Sequence, residues 1–303
     1  MTNSGEDRAM LGQHHRIVRQ ALGWLRLRRS KRAAVASPSQ RRRHAAIATW
    51  VYPTVAFIGF LLLWQLIVEV TQVKPFVLPQ PLQVLERGFV SLDLFLANTP
   101  PTVFAIALGF AGAVVMGIPL AVLMVASRAL EKSLYPLLVG SQGVPKVALA
   151  PVLVVWFGFG LLPKVIMAML IAFFPIIINT AVGLRTIDPN YLHLVRSMGA
   201  PAWRTYTRLL LPSALPQIFA GLKVAMALAI VGAIVGEMVG ANSGLGYLLV
   251  VANGNLDMAL VFAILVWLVL ISLVLVGVID VAERIAIPWS RNTRSRHLVQ
   301  VQR

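Results

Sequence analysis

The sequence predicts an all-α protein that crosses a membrane about six times. Composition is the first reason, because 58% of the 303 residues are hydrophobic, 13% are charged and the mean hydropathy is +0.79. A water-soluble domain has no interior large enough for that much apolar surface. Length is the second reason, because several apolar segments reach the roughly 20 residues that a helix needs to cross a bilayer.

Six segments meet this length, and their limits are about 51–70, 102–126, 134–157, 165–184, 214–236 and 258–279. Each is predicted to be a helix, because backbone polar groups in lipid must be satisfied within the segment. The runs are also too long and too unalternating for barrel strands. Between the first two spans, the sequence PQPLQVLERGFVSLDLFL predicts a short amphipathic helix on the membrane surface.

Two basic tails flank the transmembrane region, which we place at 51–289. Residues 1–50 contain eleven Lys and Arg and only two acidic residues, and they predict a disordered extension held near anionic lipid. Residues 290–303 form the second tail. The net charge of +16 would suggest nucleic acid in a soluble protein, but here it lies in tails and loops. We therefore expect membrane lipid, and not nucleic acid, as the partner of this charge.

The distribution of Lys and Arg predicts the orientation of the spans. With a cytoplasmic N-terminus, 22 of these residues lie inside and only three, Lys74, Arg87 and Lys164, lie outside. Cytoplasmic loops of membrane proteins are enriched in Lys and Arg. Both termini and the loop at 185–212 are therefore predicted to be cytoplasmic.

The third and fourth predicted spans contain helix breakers. The third has Gly140, Gly143 and Pro145, and the fourth has Pro175 followed by Asn179. We expect both spans to be kinked or partly unwound. Broken backbone at membrane depth is tolerated where it lines a wet cavity or is buried in protein, so these breaks are candidates for a solute pathway.

Two lysines lie within predicted spans. Lys146 lies near the middle of the third span, next to Pro145. It either donates to carbonyls that Pro145 leaves free or offers positive potential to an anion. Lys223, in the fifth span, is predicted to extend toward the cytoplasm along its apolar stem.

The outer end of the fifth span contains Glu237 within the sequence GEMVGANSGLGYLL. We expect Glu237 to pair or cap near Asn242, in a tight outer turn before the last span. The turn is either purely structural or an outer gate. The candidate pathway residues are Lys146, Asn179, Glu237 and Asn242.

The loop at 185–212 is polar but has the punctuation of helices. Asp188 followed by proline predicts an N-cap, Gly199 a helix end, Pro201 the start of a second helix and Pro212 its end. We expect two short helices that lie on the membrane surface.

The chain lacks the residues of an enzyme. It has no cysteine, no Gly-x-x-x-x-Gly-Lys-Ser/Thr phosphate loop and no histidine within a span. We expect no cofactor in this chain, so ATP must be hydrolysed by a partner. The alternative is a self-powered secondary transporter or channel. Such a protein would need an ion site, for which the candidates are Lys146, Lys223 and Glu237.

The loop also resembles a known family. Gly199, nine residues and then Leu209-Leu210-Leu211-Pro212 resemble the Gly-x9-Ile-x-Leu-Pro signature of the coupling loop in ABC-importer permeases. The sequences PKVALAPVLVVWFGFGLLPK at 145–164 and GLKVAMALAIVGAIVGEMVGANSGLGYL at 221–248 are similar to stretches of the nitrate/sulfonate/taurine-type permeases. The resemblance covers about residues 50 to 289.

The resemblance implies a type I ABC-importer permease in the bacterial inner membrane. The expected assembly is a homodimer with two copies of a cytoplasmic ATPase, which holds ATP and Mg. An extracytoplasmic binding protein would deliver a small, anionic solute of the sulfonate, taurine or nitrate kind.

The resemblance also implies which residues contact the ATPase. Tyr191, Leu194, Val195 and Met198 recur at helical spacing as an apolar face, and Arg196 points elsewhere. The family usually has Glu-Ala-Ala where this chain has His193, Leu194 and Val195, which implies a specialised ATPase. The full expected set is Tyr191, His193, Leu194, Val195, Arg196, Met198, Gly199, Ala200, Leu211 and Pro212.

Overall fold

The structure is a computed structural model that describes residues 38–290 apart from 188, 189, 192–194, 196 and 200. The chain divides into two compact units, and the boundary in the sequence lies between Val70 and Thr71. The first unit contains helix α1, Pro38–Thr71, whose apolar part is Val51–Thr71. In α1 the Gln65 side chain donates to Glu69 Oε1 at 2.5 Å. Most of the predicted basic N-terminal tail lies outside the described residues.

The second unit contains helices joined by turns, with no strand among its described residues. Its α-helices are α2 Pro81–Val90, α3 Leu92–Ala126, α4 Arg128–Gly140, α5 Ala150–Phe157, α6 Leu161–Arg185, α7 Ala202–Thr205, α8 Leu211–Gly240, α9 Leu245–Gly254 and α10 Met258–Ala286. Short 3-10 turns lie at Ser141–Gly143, Lys146–Leu149 and Pro288–Ser290, and a π-helix lies at Tyr206–Leu210.

Within the described residues, five helices are long and apolar enough to cross a membrane, and a bent pair makes a sixth crossing if counted as one span. This confirms the predicted all-α architecture of about six spans. The last span is longer than predicted, Met258–Ala286, and α9 precedes it where the sequence predicts only a tight turn. The predicted surface helix is α2, and the rest of that sequence belongs to α3.

The third span is broken, as the sequence predicts. The segments Arg128–Gly143 and Lys146–Phe157 meet at 84°. The fourth span is different, because α6 runs through Pro175 without interruption. The prediction of partial unwinding there was wrong. The Asn179 side-chain amide donates to the Pro175 carbonyl at 2.8 Å, one turn earlier in this continuous helix.

The most extensive packing in this unit is between α6 and α8, which run antiparallel. Three glycines of α8 face α6 so closely that an added Cβ would meet Asn179 (at Gly221), Ala168 (at Gly232) and Lys164 (at Gly236). Small residues allow membrane helices to approach closely when lipid gives no hydrophobic force between them. This contact holds α6 and α8 together along their length.

The helix that follows Pro201 does not end at Pro212, as the sequence predicts, but continues into the fifth span. Helical structure is unbroken from Ala202 to Gly240. Proline lacks an N–H and its ring collides with the preceding turn of an α-helix. Here the wider π turn precedes Pro212, and the Ser213 hydroxyl donates to the Leu209 carbonyl at 2.6 Å. This second part of the loop therefore extends the spanning helix.

Candidate functional sites

Two ends of the second unit have distinct chemistry. We call the end of the helices near residues 185–212 the loop end, and the end near Gly240 the far end. The apolar helix Trp203–Gly240 has 38 residues. At about 1.5 Å per residue it is about 57 Å long, whereas the hydrocarbon core of a bilayer is about 30 Å thick. The helix is therefore longer than one crossing of the hydrocarbon core requires.

Large apolar side chains are exposed at the loop end. Tyr191 is 61% exposed, Met198 76% and Trp203 68%. Val195, on the same predicted face, is half-buried, and Gly199 has φ +75°, the left-handed conformation of the predicted helix end. His193, Leu194, Arg196 and Ala200 lie outside the described residues, as does the predicted cap at Asp188.

The loop end is tied to the first half of the broken span by an ion pair. Arg185, the last residue of α6, contacts Glu131 in the first turn of α4 at 2.5 Å. The Ser127 hydroxyl caps this end of α4 by accepting from the Leu130 N–H at 3.4 Å. Leu211 and Pro212 form the first turn of α8, with Leu211 partly exposed.

Lys146 lies at the bend of the broken span. Its Nζ donates to Gln142 Oε1 at 2.7 Å, one helical turn earlier, and not to a carbonyl that Pro145 leaves free. The structural role expected for Lys146, donation to backbone carbonyls, is therefore replaced by this side-chain hydrogen bond to Gln142. This hydrogen-bond partner is a neutral amide and not a carboxylate.

Asn179 joins α6 to α8. Its Oδ1 accepts from Gln217 Nε2 at 3.2 Å, and both side chains are half-buried. A neutral amide pair of this kind offers donors and acceptors without charge. It lies on the loop-end half of both helices.

Glu237 lies at the far end inside a closed cluster. Its side chain is 1% exposed, and its carboxylate accepts from the Thr102 hydroxyl at 2.9 and 3.0 Å and from the Gly246 N–H at 2.9 Å. Lys164 Nζ lies 3.5 Å from Oε1. Thr102, Lys164, Glu237 and the backbone of 243–246 form what we call the Glu237 cluster.

Glu237 caps the turn beside Asn242 by accepting from the Gly246 N–H, but the sequence analysis did not anticipate its ion pair with Lys164. Asn242 is exposed and belongs to none of these contacts, whereas Lys164, counted as an outside residue, is only 4% exposed. The spacing of Lys164 and Ala168 is a signal for this burial. The two residues are four apart in α6, so they lie on the same face of the helix, and this face packs against α8.

A second ion pair at the far end involves Arg87 of α2. Its guanidinium contacts Asp257 at 2.7 and 2.9 Å, and the other oxygen of Asp257 accepts from the Leu260 N–H at 3.0 Å. Asp257 therefore caps α10 and holds α2 to it.

Lys223 of α8 pairs with two carboxylates of α10, contacting Asp280 and lying 2.5 Å from Glu283. The sequence analysis missed these partners because it ended the last span at 279. Lys223 is about 25 Å from Gly240 along α8 at about 1.5 Å per residue, so it lies on the loop-end half of this helix. Among the described residues, no group of three His, Asp or Glu could hold a metal ion.

The fold and these sites define a polytopic helical membrane protein with charged clusters at both ends of its spans. The chain belongs to the family of binding-protein-dependent transport system inner membrane components, whose model matches residues 113–291. It is therefore a multi-pass permease component of an ABC import system, as the resemblance implies.

Individual relatives support this assignment. The chain is 38% identical to the formylaminopyrimidine transport permease protein ThiX of Halalkalibacterium halodurans, over 79% of this chain and 96% of the relative. It is 37% identical to the riboflavin transport system permease protein RibX of Chloroflexus aurantiacus, over 78% and 88%. It is 27% identical to the taurine transport system permease protein TauC of Escherichia coli, over 76% and 86%. The predicted type of permease is thus confirmed.

A solved structure shows the same fold. One chain of the MetNI methionine ABC transporter, in an inward facing conformation, matches with a TM-score of 0.57 and 19% identity. The match covers 65% of this chain and 97% of that chain. It confirms the predicted type I ABC-importer permease fold.

Proposed function

We propose that this permease imports a small solute by alternating access, driven by two copies of a cytoplasmic ATPase that docks on the loop end and holds ATP and Mg. A binding protein delivers the solute to the far end, and two copies of the chain form the membrane channel. The observation that carries this proposal is the loop end, where Tyr191, Met198 and Trp203 are exposed at the start of a helix that is longer than a bilayer crossing requires.

The orientation in this proposal rests on charge. The Lys and Arg residues on the side of the loop end outnumber those on the far side by 22 to three, and one of those three, Lys164, is buried in an ion pair. Lys and Arg accumulate on the cytoplasmic side of inner-membrane proteins. Both termini and the loop end are therefore placed in the cytoplasm, where ATP is available.

The backbone supplies a rigid route from the ATPase to the spans. From Ala202 the helix continues through the π turn and along α8 to Gly240. Because α8 packs closely on α6, a push on the loop end moves both helices together. A flexible tether could not transmit such a displacement.

The solute class is inferred from the relatives. The two named relatives with 37% to 38% identity are permeases for a formylaminopyrimidine and for riboflavin, whereas the taurine permease is 27% identical. We infer that the solute is a flat nitrogen heterocycle of the pyrimidine or flavin kind. The neutral pair of Asn179 and Gln217 has the donors and acceptors that such a ring uses.

One observation favours the second candidate, a small anion of the sulfonate, taurine or nitrate kind. Lys146 lies at the bend with a neutral partner, so its positive charge is available to an anion. A relative with 27% identity is a putative aliphatic sulfonates transport permease from Bacillus subtilis. The two candidates differ in charge and in shape, so transport assays separate them.

The test is uptake into proteoliposomes that contain this chain with its partner ATPase and binding protein. Labelled formylaminopyrimidine, riboflavin and taurine are offered in turn, with ATP or with a non-hydrolysable analogue inside. The proposal expects ATP-dependent uptake of a heterocycle. Uptake by this chain alone, without the ATPase, would instead support a self-powered secondary transporter or channel.

A further inference from the structure

Glu237 is among the residues that the sequence suggested for the solute pathway, but its surroundings are closed. Both carboxylate oxygens are occupied, Oε2 by the Gly246 N–H and the Thr102 hydroxyl, and Oε1 by Thr102 and Lys164. The side chain is fully buried between α3, α6, α8 and α9. A solute that reached this carboxylate would have to displace all of these partners.

The turn at 243–246 is shaped around the carboxylate. A Cβ added at Gly244 would overlap with the Glu237 carboxylate, and one added at Gly246 would lie 2.7 Å from Glu237 Cβ. Gly244 also has φ +112°, which side chains rarely adopt. The backbone at these positions therefore approaches Glu237 as closely as glycine allows.

Residues of three helices hold this turn in place. Lys164 of α6 donates to the Ser243 carbonyl at 2.9 Å. On α3, Asn98 Oδ1 accepts from the Gly244 N–H at 2.9 Å and Thr102 Oγ1 accepts from the Leu245 N–H at 2.8 Å. The turn and the start of α9 are thus fixed to α3, α6 and α8 at the same point.

We propose that Lys164, Glu237 and Thr102 are positioning residues. They keep the segment 241–254 packed against α3, α6 and α8 at the far end throughout the transport cycle, a state that we call closed. This inference rests on the proposed alternating-access function. Opening the turn would take the Gly246 N–H away from the buried Glu237 carboxylate and the Ser243 carbonyl away from the buried Lys164 ammonium, and loss of partners by buried charged groups is strongly unfavourable. Opening would also break the hydrogen bonds that Asn98 and Thr102 accept from the turn, while the ion pair between α6 and α8 would stay in place.

If this segment stays closed, the solute must enter beside another element, and the broken span is the one that can move. It is joined to α6 through Gly158 and Gly160, which have φ +75° and +147°. A Cβ added at either glycine would meet no atom within 4 Å. The same is true of Gly140 and Gly143 at the bend, so there is open space beside the glycines at the bend and at the connection to α6. We therefore place the moving wall at α4 and α5.

The test uses single cysteines, because the chain has none of its own. Leu245→Cys introduces a thiol at a fully buried position of α9, and Asn255→Cys introduces one at an exposed position of the same end. The full transporter in proteoliposomes is treated with a membrane-impermeant maleimide, without nucleotide and after trapping with ATP and vanadate. Asn255→Cys reports labelling efficiency in each state.

We expect Leu245→Cys to stay protected in both states, with labelling below about a tenth of that of the denatured protein, because a closed turn must open before it reacts. Strong labelling of Leu245→Cys in either state overturns the proposal. Loss of the ATP dependence of uptake would overturn the proposed function instead, so the two failures are distinguishable.

A second measurement tests the roles of the side chains. Glu237→Gln, made in the Leu245→Cys background, should increase maleimide labelling and leave the KM for solute unchanged. Glu86→Gln, at an exposed position of α2, is the matched control and should change neither. A Glu237→Gln variant that keeps Leu245→Cys protected but raises the KM would show that Glu237 contacts solute, and would overturn the positioning role.

Discussion

Arg185 and Glu131 form a 2.5 Å ion pair that joins the first residue of the loop at 185–212 to the first turn of the broken span. Both side chains are partly exposed, so the pair contributes little to stability. Its position matters more, because it connects the segment proposed to bind the ATPase with the segment proposed to move.

Reversing one charge of this pair should disturb transport more than folding. We expect Arg185→Glu or Glu131→Arg to lower solute uptake per ATP hydrolysed by about two- to thirtyfold, the range for residues that link coupled sites. The free energy of unfolding should change by no more than about 1 kcal/mol. Parallel uptake and ATPase assays make the measurement. The double reversal is the control and should restore coupling, and a double variant as poor as either single one would contradict the link.

Gly199 offers a second test of the coupling loop. Its φ of +75° cannot be adopted by proline, whose ring fixes φ near about −65°. Gly199→Pro should therefore insert normally but lose ATP-driven uptake, with hydrolysis of ATP by the partner continuing. Gly199→Asn is the matched control, since asparagine tolerates the left-handed conformation. Normal uptake by Gly199→Pro would contradict a rigid loop.

The contact between α6 and α8 should be sensitive to added volume. Gly232→Ala places a methyl group 2.6 Å from the Met167 carbonyl, so we expect a loss of about 1–3 kcal/mol in the free energy of unfolding. Gly277→Ala, in α10, is the matched control because its Cβ would meet nothing within 4 Å. Thermal unfolding in detergent measures both. Equal stability of the two variants would show that the helices do not pack as closely as described.

Lys146→Met separates the two solute classes. If a heterocycle is the solute, removal of this charge should change its uptake by less than about twofold, since no ion pair with solute is lost. If an anion is the solute, uptake should fall by at least about tenfold, as expected for loss of a charged contact. Uptake assays at several solute concentrations give both values, and Lys146→Arg, which keeps the charge, is the control.

The number of membrane spans and their helical structure could be predicted from the sequence, because apolar length alone decides which segments can cross a bilayer. The broken third span could be predicted from Gly140, Gly143 and Pro145. Proline was a poorer guide in the other cases. Helix α6 continues through Pro175, and a wider π turn precedes Pro212, so neither proline ends its helix.

The partners of charged residues could be predicted less well. Glu237 and Lys164 are 73 residues apart in sequence. The residues around each of them indicate the end of a span but do not indicate a partner. Their pairing depends on how α6 and α8 pack, which the glycines of α8 determine. Lys223 and its carboxylates were missed for a related reason, because the predicted last span ended before Asp280.

The most direct test of the central claim, that the ATPase docks on the loop end, is chemical crosslinking from a single cysteine. Met198→Cys presents a thiol at an exposed position of this end, and Leu256→Cys presents one at an exposed position of the far end. In the assembled transporter, we predict that a thiol-directed crosslinker joins Met198→Cys, and not Leu256→Cys, to the ATPase. A crosslink from Leu256→Cys to the ATPase, with none from Met198→Cys, would contradict the account.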